Sequence, residues 1–412
     1  MAHLLIVELP GGNDTDIVEA ALQRGDRFSF LTAGLEHYRG QAAVWAWLQQ
    51  AEHVMDVADL PDADIYARVL ALHAREPFDG VLCLMDLRLV LAAELAHALG
   101  LPFLNPASAR LLRDKFSVRS RLLERGIGQG DFALAQSNAE LQNAVTRLGL
   151  PLLIKPVDGF GSQNIVLLEQ QEDLDPWMTP LDDMLPSGVD YGLGVRANDR
   201  LLVERFLHGT VIGCDTFSRA GVHQLLGVNE KLMFDRPSFA IRGGCFTPMG
   251  PQFQFLQDYV FALLDAVDFD WGAAHIELML TPQGPQLIEI NARLVGAKIA
   301  RQVGLAIGMS LHARLIELHL GQTDAVSWSQ AQFAATRWVT APRRGTLDRI
   351  ELPVAGPEIR CVEMLKQPGD PIQPPMDNAD RIGYVVACAD AFDRAQAAAQ
   401  SYVDHCICHY RL

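Results

Sequence analysis

The sequence predicts a multidomain α/β protein, and three observations carry that expectation. Its 412 residues exceed the roughly 250–300 at which a single hydrophobic core stops growing, which suits two or three domains with a cleft between them. Residues 1–106 alternate short apolar runs with helical stretches, the pattern of a small parallel sheet with helices. Two strand-like runs at 275–280 and 286–291 flank Thr281-Pro282-Gln283-Gly284-Pro285, which predicts an antiparallel hairpin.

In chain order, strands are expected at 4–7, 28–31 and 80–85, with helices at 16–24 and 89–99. The turn Pro10-Gly11-Gly12-Asn13 could cradle an anion, but no GxGxxG follows the first strand, so a nicotinamide or flavin site lacks its main support. A helix is expected at 107–125 with Lys115 near its middle and Gly126 as its stop. Strands at 131–135 and 152–154 flank a helix at 138–148. Residues 170–199 are acidic, rich in Pro and Gly and without periodicity, which reads as a surface insertion. After Gly321 a third region combines short strands with a final helix at 391–402. The expected organisation is therefore 1–106, 107–320 and 321–412.

The balance of 34 basic against 50 acidic side chains, a formal charge of -16, excludes nonspecific attachment to nucleic acid or to anionic lipid. It does not exclude nucleotides, which need only a few placed cations and a divalent metal. The chain has no leader-like start and no apolar stretch of about 18 residues, so a cytoplasmic protein without a membrane span is expected. The seven cysteines do not form the spaced framework of a small secreted domain. In His405-Cys406-Ile407-Cys408-His409, strand alternation sends the thiols to one face and the imidazoles to the other, which favours a terminal strand with buried thiols over a zinc site.

The chemistry-bearing residues begin with the hairpin. If Leu280 opposes Gln286, Glu277 lies across from Glu289 and His275 across from Asn291, all on one face. Two carboxylates about 5 Å apart repel unless a positive group lies between them. Hard oxygen ligands without a thiolate favour magnesium or manganese, against the plainer alternative of a solvated acidic face. Arg293 continues the alternation and could meet a transferring phosphoryl group. Earlier, Pro151-Leu152-Leu153-Ile154-Lys155-Pro156 ends a strand in a lysine, and Asp158-Gly159-Phe160-Gly161-Ser162 follows as a glycine-rich loop able to bring N–H groups to anionic oxygens. No P-loop motif occurs. In Val203-Glu204-Arg205-Phe206-Leu207, a short strand reads either as a purine-edge hinge or as a plain edge strand.

The order Lys115, Lys155, the 158–162 loop, the 203–207 hinge, Glu277 and Glu289-Ile290-Asn291-Ala292-Arg293 resembles the ATP-grasp superfamily, and most closely its L-amino-acid ligases and related amide synthetases. The likeness extends to Asp380-Arg381-Ile382-Gly383-Tyr384-Val385-Val386, which is similar to the closing strand region of such ligases. It implies an α/β ATP-grasp fold: a Rossmann-like N-terminal domain, a mobile lid at about 130–203 and a C-terminal α+β region. It also implies ATP with Mg2+ or Mn2+. Lys115, Lys155, Gly159, Gly161 and Ser162 would contact the phosphates, and Glu204 and Leu207 would hold adenine through their backbone. Glu277, Glu289 and Asn291 would carry the metal, and Arg293 would stabilise the acyl phosphate. The implied reaction joins a small-molecule carboxylate to an amine, one of them an amino acid, and the enzyme could be a homodimer. The alternatives are a biotin-carboxylase-like enzyme and a nucleotide-binding module without turnover.

Two positions depart from the family pattern. Where a ribose-binding acid is expected, the chain has Val211, leaving Asp215 or a backbone group for that contact. Where amino-acid ligases carry a Glu-Thr-Gly-His loop, the chain has Arg242-Gly243-Gly244-Cys245, so Arg242 becomes a candidate for binding a substrate carboxylate.

Overall fold

The computed structural model describes the whole chain except residues 129, 161–163, 170–189, 194, 197, 234–240, 297, 323–330, 377–379 and 412. The N-terminal region holds β1 (His3–Val7), β2 (Arg27–Thr32), β3 (Val54–Asp56) and β4 (Gly80–Cys83), with helices α1 (Asp16–Gln23), α2 (Leu35–Arg39), α3 (Ala42–Leu48), α4 (Asp62–Arg75) and α5 (Leu89–Leu99) between and after them. Its strands pair in parallel in the order β3-β2-β1-β4, as the alternation predicts. β1 is buried along its whole length because a parallel strand flanked by helices meets protein on both faces.

Helices α6 (Pro106–Leu112) and α7 (Lys115–Glu124) replace the single helix expected at 107–125. The cause is Asp114, whose side chain accepts from the Ser117 N–H and starts a new helix. Lys115 is therefore the first residue of α7 rather than the middle of a longer helix.

The region expected to form the lid contains a four-stranded sheet, order β5-β10-β6-β7, from β5 (Phe132–Ala135), β6 (Leu152–Pro156), β7 (Val166–Leu168) and β10 (Leu201–Arg205), with α8 (Asn138–Leu148) packed on it. Two short strands, β8 (Asp190–Gly192) and β9 (Val195–Arg196), form a hairpin within the stretch read as an insertion. Most of that stretch, like Gly161 and Ser162, lies outside the described residues.

The largest sheet contains β11 (Thr210–Arg219), β12 (Val222–Met233), β13 (Ile241–Pro248), β14 (Trp271–Thr281), β15 (Gly284–Asn291), β16 (Phe333–Val339), β18 (Ile359–Met364) and β20 (Gly383–Ala389). Its order, β15-β14-β11-β12-β13-β16-β20-β18, carries it without a break across residue 321, so the C-terminal region shares a sheet with the centre. Helices α9 (Gln254–Ala266), α10 (Ile299–Ile307), α11 (Leu311–His319) and α12 (Phe392–Asp404) cover it, and β17 (Gly345–Glu351), β19 (Pro371–Ile372) and β21 (Ile407–Arg411) form a separate small sheet. One apolar cluster runs from β1 and α1 to α10, α11 and β20 and ties the N-terminal region to this centre.

The hairpin register departs from expectation by one residue over half its length. Glu277 does pair with Glu289 and His275 with Asn291, but Leu280 faces Pro285 instead of Gln286. A β-bulge at Ile288 absorbs the difference, and its carbonyl accepts a 2.7 Å hydrogen bond from Arg119 Nη2 on α7. At the C-terminus strand alternation begins only at Ile407: His405 caps α12 with Nδ1 2.7 Å from the Ser401 carbonyl, and Cys406 and Cys408 are half-buried rather than fully buried. No helix among the described residues is long and apolar enough to cross a membrane.

Candidate active site

The floor of the site is the β14–β15 ladder. Glu277 Oε1 lies 2.6 Å from Lys231 Nζ and 3.5 Å from His275 Nε2, while Glu289 Oε1 lies 2.8 Å from Lys115 Nζ. The facing carboxylates thus each have an amine. Burial works against the charge on Glu277, but His275 and Lys231 hold its carboxyl well below the usual range. His275 Nδ1 is 2.9 Å from Asp215 Oδ1, and Asn229 Nδ2 donates to the other Asp215 oxygen. Although burial alone would favour neutral imidazole, these carboxylates raise the His275 pKa to about 9. Gly213 makes room for the ring, since a Cβ there would stand 2.5 Å from His275 Cε1. Asp215 is 3% exposed and spends both oxygens on this network, so it is not free for a ribose hydroxyl.

The second cluster is built from β6, β10 and α7. Lys155 on β6 places Nζ 2.5 Å from Glu204 Oε1 on β10, and Arg119 Nε is 3.3 Å from Glu204 Oε2. The antiparallel pairing of Leu202 with Lys155 sets this geometry. Burial lowers the Lys155 pKa, with Glu204 opposing it; burial also works against the Glu204 carboxylate, yet Lys155 and Arg119 hold it below the usual range. Lys115 Nζ donates to the Gly159 carbonyl at 2.5 Å, tying α7 to the start of the glycine-rich loop. At the hinge, Arg205 N donates to Asp131 O and Phe206 N to Pro151 O, whereas the Leu207 N–H has no partner among the described residues.

Arg293 is held by the N-terminal region: its Nε and Nη2 each lie 2.7 Å from Asp86 Oδ2, and Nη1 donates to the Leu294 carbonyl at 3.0 Å. Burial would lower its pKa, but Asp86 raises it further, so the guanidinium is fixed and charged. Sequence reasoning missed Asp86. The available signal was its position just past the carboxyl end of β4, where parallel sheets collect functional groups. Arg242 is exposed and stands on β13, not in a loop. Its two following glycines serve close strand packing, because a Cβ on Gly243 would meet the Thr336 carbonyl at 2.2 Å.

Paired carboxylates with the Asn291 amide beside them, and no thiolate, make a hard-oxygen donor set that fits Mg2+ or Mn2+. Among the described residues no three His, Cys, Asp or Glu side chains converge as a metal cage.

Comparisons with known proteins identify the family. The ATP-grasp N-terminal domain family matches residues 36–103, the ATP-grasp domain family residues 148–301, and the L-amino acid ligase C-terminal domain 2 family residues 337–406. An uncharacterized protein of Sinorhizobium fredii, y4rH, is 30% identical over 313 residues, covering 74% of this chain and 62% of its own. Human carnosine synthase 1 is 26% identical over 310 residues, 71% of this chain and 36% of its own. The chain therefore spans less than two thirds of either relative. The crystal structure of an L-amino acid ligase from Bacillus licheniformis superposes with a TM-score of 0.78 at 19% identity, covering 100% of this chain and 99% of that one. With these three families in order along the sequence and the fold alike from end to end, the chain belongs to the ATP-grasp superfamily and carries the C-terminal domain of its L-amino acid ligases.

Proposed function

We propose that the protein is an ATP-dependent ligase that joins a carboxylate to an amine, one of them an amino acid, through an acyl phosphate. The observation that carries this reading is the convergence of Lys115, Lys155, Glu277, Glu289 and Arg293 from separate segments, each cation already paired with an acid of the same protein. A nucleotide triphosphate and a divalent cation would exchange those partners: Lys115 and Lys155 pass to phosphate oxygens, and Glu277, Glu289 and Asn291 to Mg2+ or Mn2+.

In the first step a carboxylate oxygen of one substrate attacks the γ-phosphorus, the bond to the bridging oxygen breaks, and ADP leaves. In the second the amine nitrogen attacks the acyl carbon, the bond to phosphate oxygen breaks, and phosphate departs while the nitrogen gives up a proton to solvent. Arg293, fixed by Asp86, stabilises charge on the transferring group without having to reorganise. The bound metal would neutralise phosphate charge and hold it in line. The Leu207 N–H is the donor available to a purine edge, while Glu204, paired in the sheet with Phe132 and Leu153, orients Lys155 with its side chain. Arg242 is the candidate for a substrate carboxylate.

The L-amino acid ligase C-terminal match favours this reading over carboxylation. Phosphate release measured with ATP, Mg2+ and pooled amino acids tests it. Release that needs two organic substrates and yields equimolar amide supports ligation; release with bicarbonate alone means a carboxylase, and none under any condition means a binding module.

A further inference from the structure

Between α1, the α10–α11 turn and β18 lies a cavity of about 460 Å³ that contains none of the residues assigned to ATP, metal or acyl transfer. Its volume falls in the range of small-molecule sites. Its charges are sorted by element. Asp16 and Glu19 come from α1, whereas Arg301 comes from α10 and Arg360 from β18. Leu305 and Met309, both half-buried, supply an apolar wall.

The charged groups keep binding capacity in hand. Among the described residues Arg301 hydrogen-bonds only through Nη1, to Glu363 at 2.5 Å and the Tyr384 hydroxyl at 3.1 Å, and its side chain is 35% exposed. Arg360 is exposed and has no hydrogen bond or ion pair among the described residues. On α1, Asp16 Oδ1 takes Lys298 Nζ at 2.8 Å and Glu19 Oε1 takes Gln23 Nε2 at 2.9 Å, leaving one oxygen of each carboxylate without a hydrogen-bond partner among the described residues. His312 also lines the cavity, and burial lowers its pKa so that it adds no compensating charge at neutral pH. Two guanidinium groups and two carboxylates lining one cavity with an apolar wall are complementary to a molecule carrying a carboxylate, an ammonium and a hydrocarbon together.

We propose that this cavity binds a free α-amino acid with an apolar side chain, its carboxylate on Arg301 and Arg360, its ammonium on Asp16 and Glu19, and its side chain against Leu305 and Met309. The site needs neither nucleotide nor metal and is separate from the ligation proposed above, so either can fail without the other.

The test is equilibrium dialysis of the intact protein, without ATP or Mg2+, against L-leucine, L-methionine and L-valine separately, and against N-acetyl-L-leucine and L-leucinamide. Saturable binding of at least one free amino acid is expected. For L-leucine, blocking either its ammonium or its carboxylate should weaken binding at least tenfold, by loss of a charge-assisted contact. Arg360→Ala and Glu19→Gln, with unchanged circular dichroism and Tm, should each weaken the bound amino acid by a similar factor. The proposal is overturned by the absence of saturable binding, by equal binding of the blocked analogues, or by binding that survives both substitutions. It is equally overturned if binding requires Mg2+ and ATP and disappears in Arg293→Ala, which would place the amino acid in the catalytic cleft.

Discussion

Two buried histidines in this molecule are shifted in opposite directions. His275, 2% exposed, is raised to about 9, while His319, 4% exposed, is lowered to about 4. Burial disfavours the charged imidazole at both. The difference lies in the partners: His275 faces Asp215 and stands beside Glu277, whereas among the described residues His319 has only the Pro102 carbonyl at 3.1 Å and the Phe103 ring at 5.0 Å. Burial therefore decides nothing by itself. Around β14 and β15 buried charges are paired with charges of opposite sign, and the junction around His319 is packing.

The strongest way to break that contrast is Glu289→Gln. If Glu289 is a metal ligand, turnover should fall at least about 100-fold. The fold should survive, since Lys115 keeps its bond to the Gly159 carbonyl when the carboxylate partner is lost. Steady-state kinetics with a melting curve decide it, and an active variant removes the metal assignment. Lys155→Ala comes next. Glu204 keeps Arg119, so the protein should fold, but KM for ATP should rise at least about tenfold with loss of a charge-assisted phosphate contact. Limited proteolysis of the wild type beyond Asp158 should slow when ATP is bound, and equal cleavage in both states counts against a closing lid.

Arg242→Ala sharpens the same contrast at the substrate end. An exposed strand arginine engaged in a bidentate contact with a substrate carboxylate is worth about 2 kcal/mol, so kcat/KM for the amino-acid substrate should fall at least about tenfold while KM for ATP stays unchanged. If both stay at wild-type values, Arg242 does not recognise substrate.

What could be read from the sequence follows the range of the physics. The parallel N-terminal sheet and the Glu277–Glu289 pairing were legible because periodicity and turn chemistry are local. The bulge at Ile288 was not, since the group that satisfies its carbonyl, Arg119, lies 169 positions away. Lys115 was placed mid-helix because Asp114 reads as an ordinary interior residue until its side chain is seen capping. The two glycines after Arg242 read as a loop, and only the approach of the Thr336 carbonyl reveals their role in a strand. The order of site residues was visible, but their internal partners Asp86, Asp215 and Lys231 come from segments whose approach no local pattern encodes.

The smallest expected effect tests the packing side of the contrast. Burial lowers the folded His319 pKa to about 4, against 6.5 for an unperturbed imidazole, so between these values the unfolded chain binds the additional proton. Stability from keeping this ring neutral is fully present above pH 6.5 and is lost as pH falls toward 4. At pH 5 the loss amounts to about 2 kcal/mol, enough to lower Tm by a few °C. His319→Gln should start from a lower Tm at pH 7, because the ring packed on Phe103 is gone, yet lose less on acidification than the wild type. The comparison of slopes matters more than either Tm, since other groups titrate in the same window and contribute to both proteins alike. Melting curves from pH 7 to 5 supply both slopes. Parallel slopes would mean that His319 does not carry the acid sensitivity, and that its environment is more polar than a carbonyl and a phenyl ring imply.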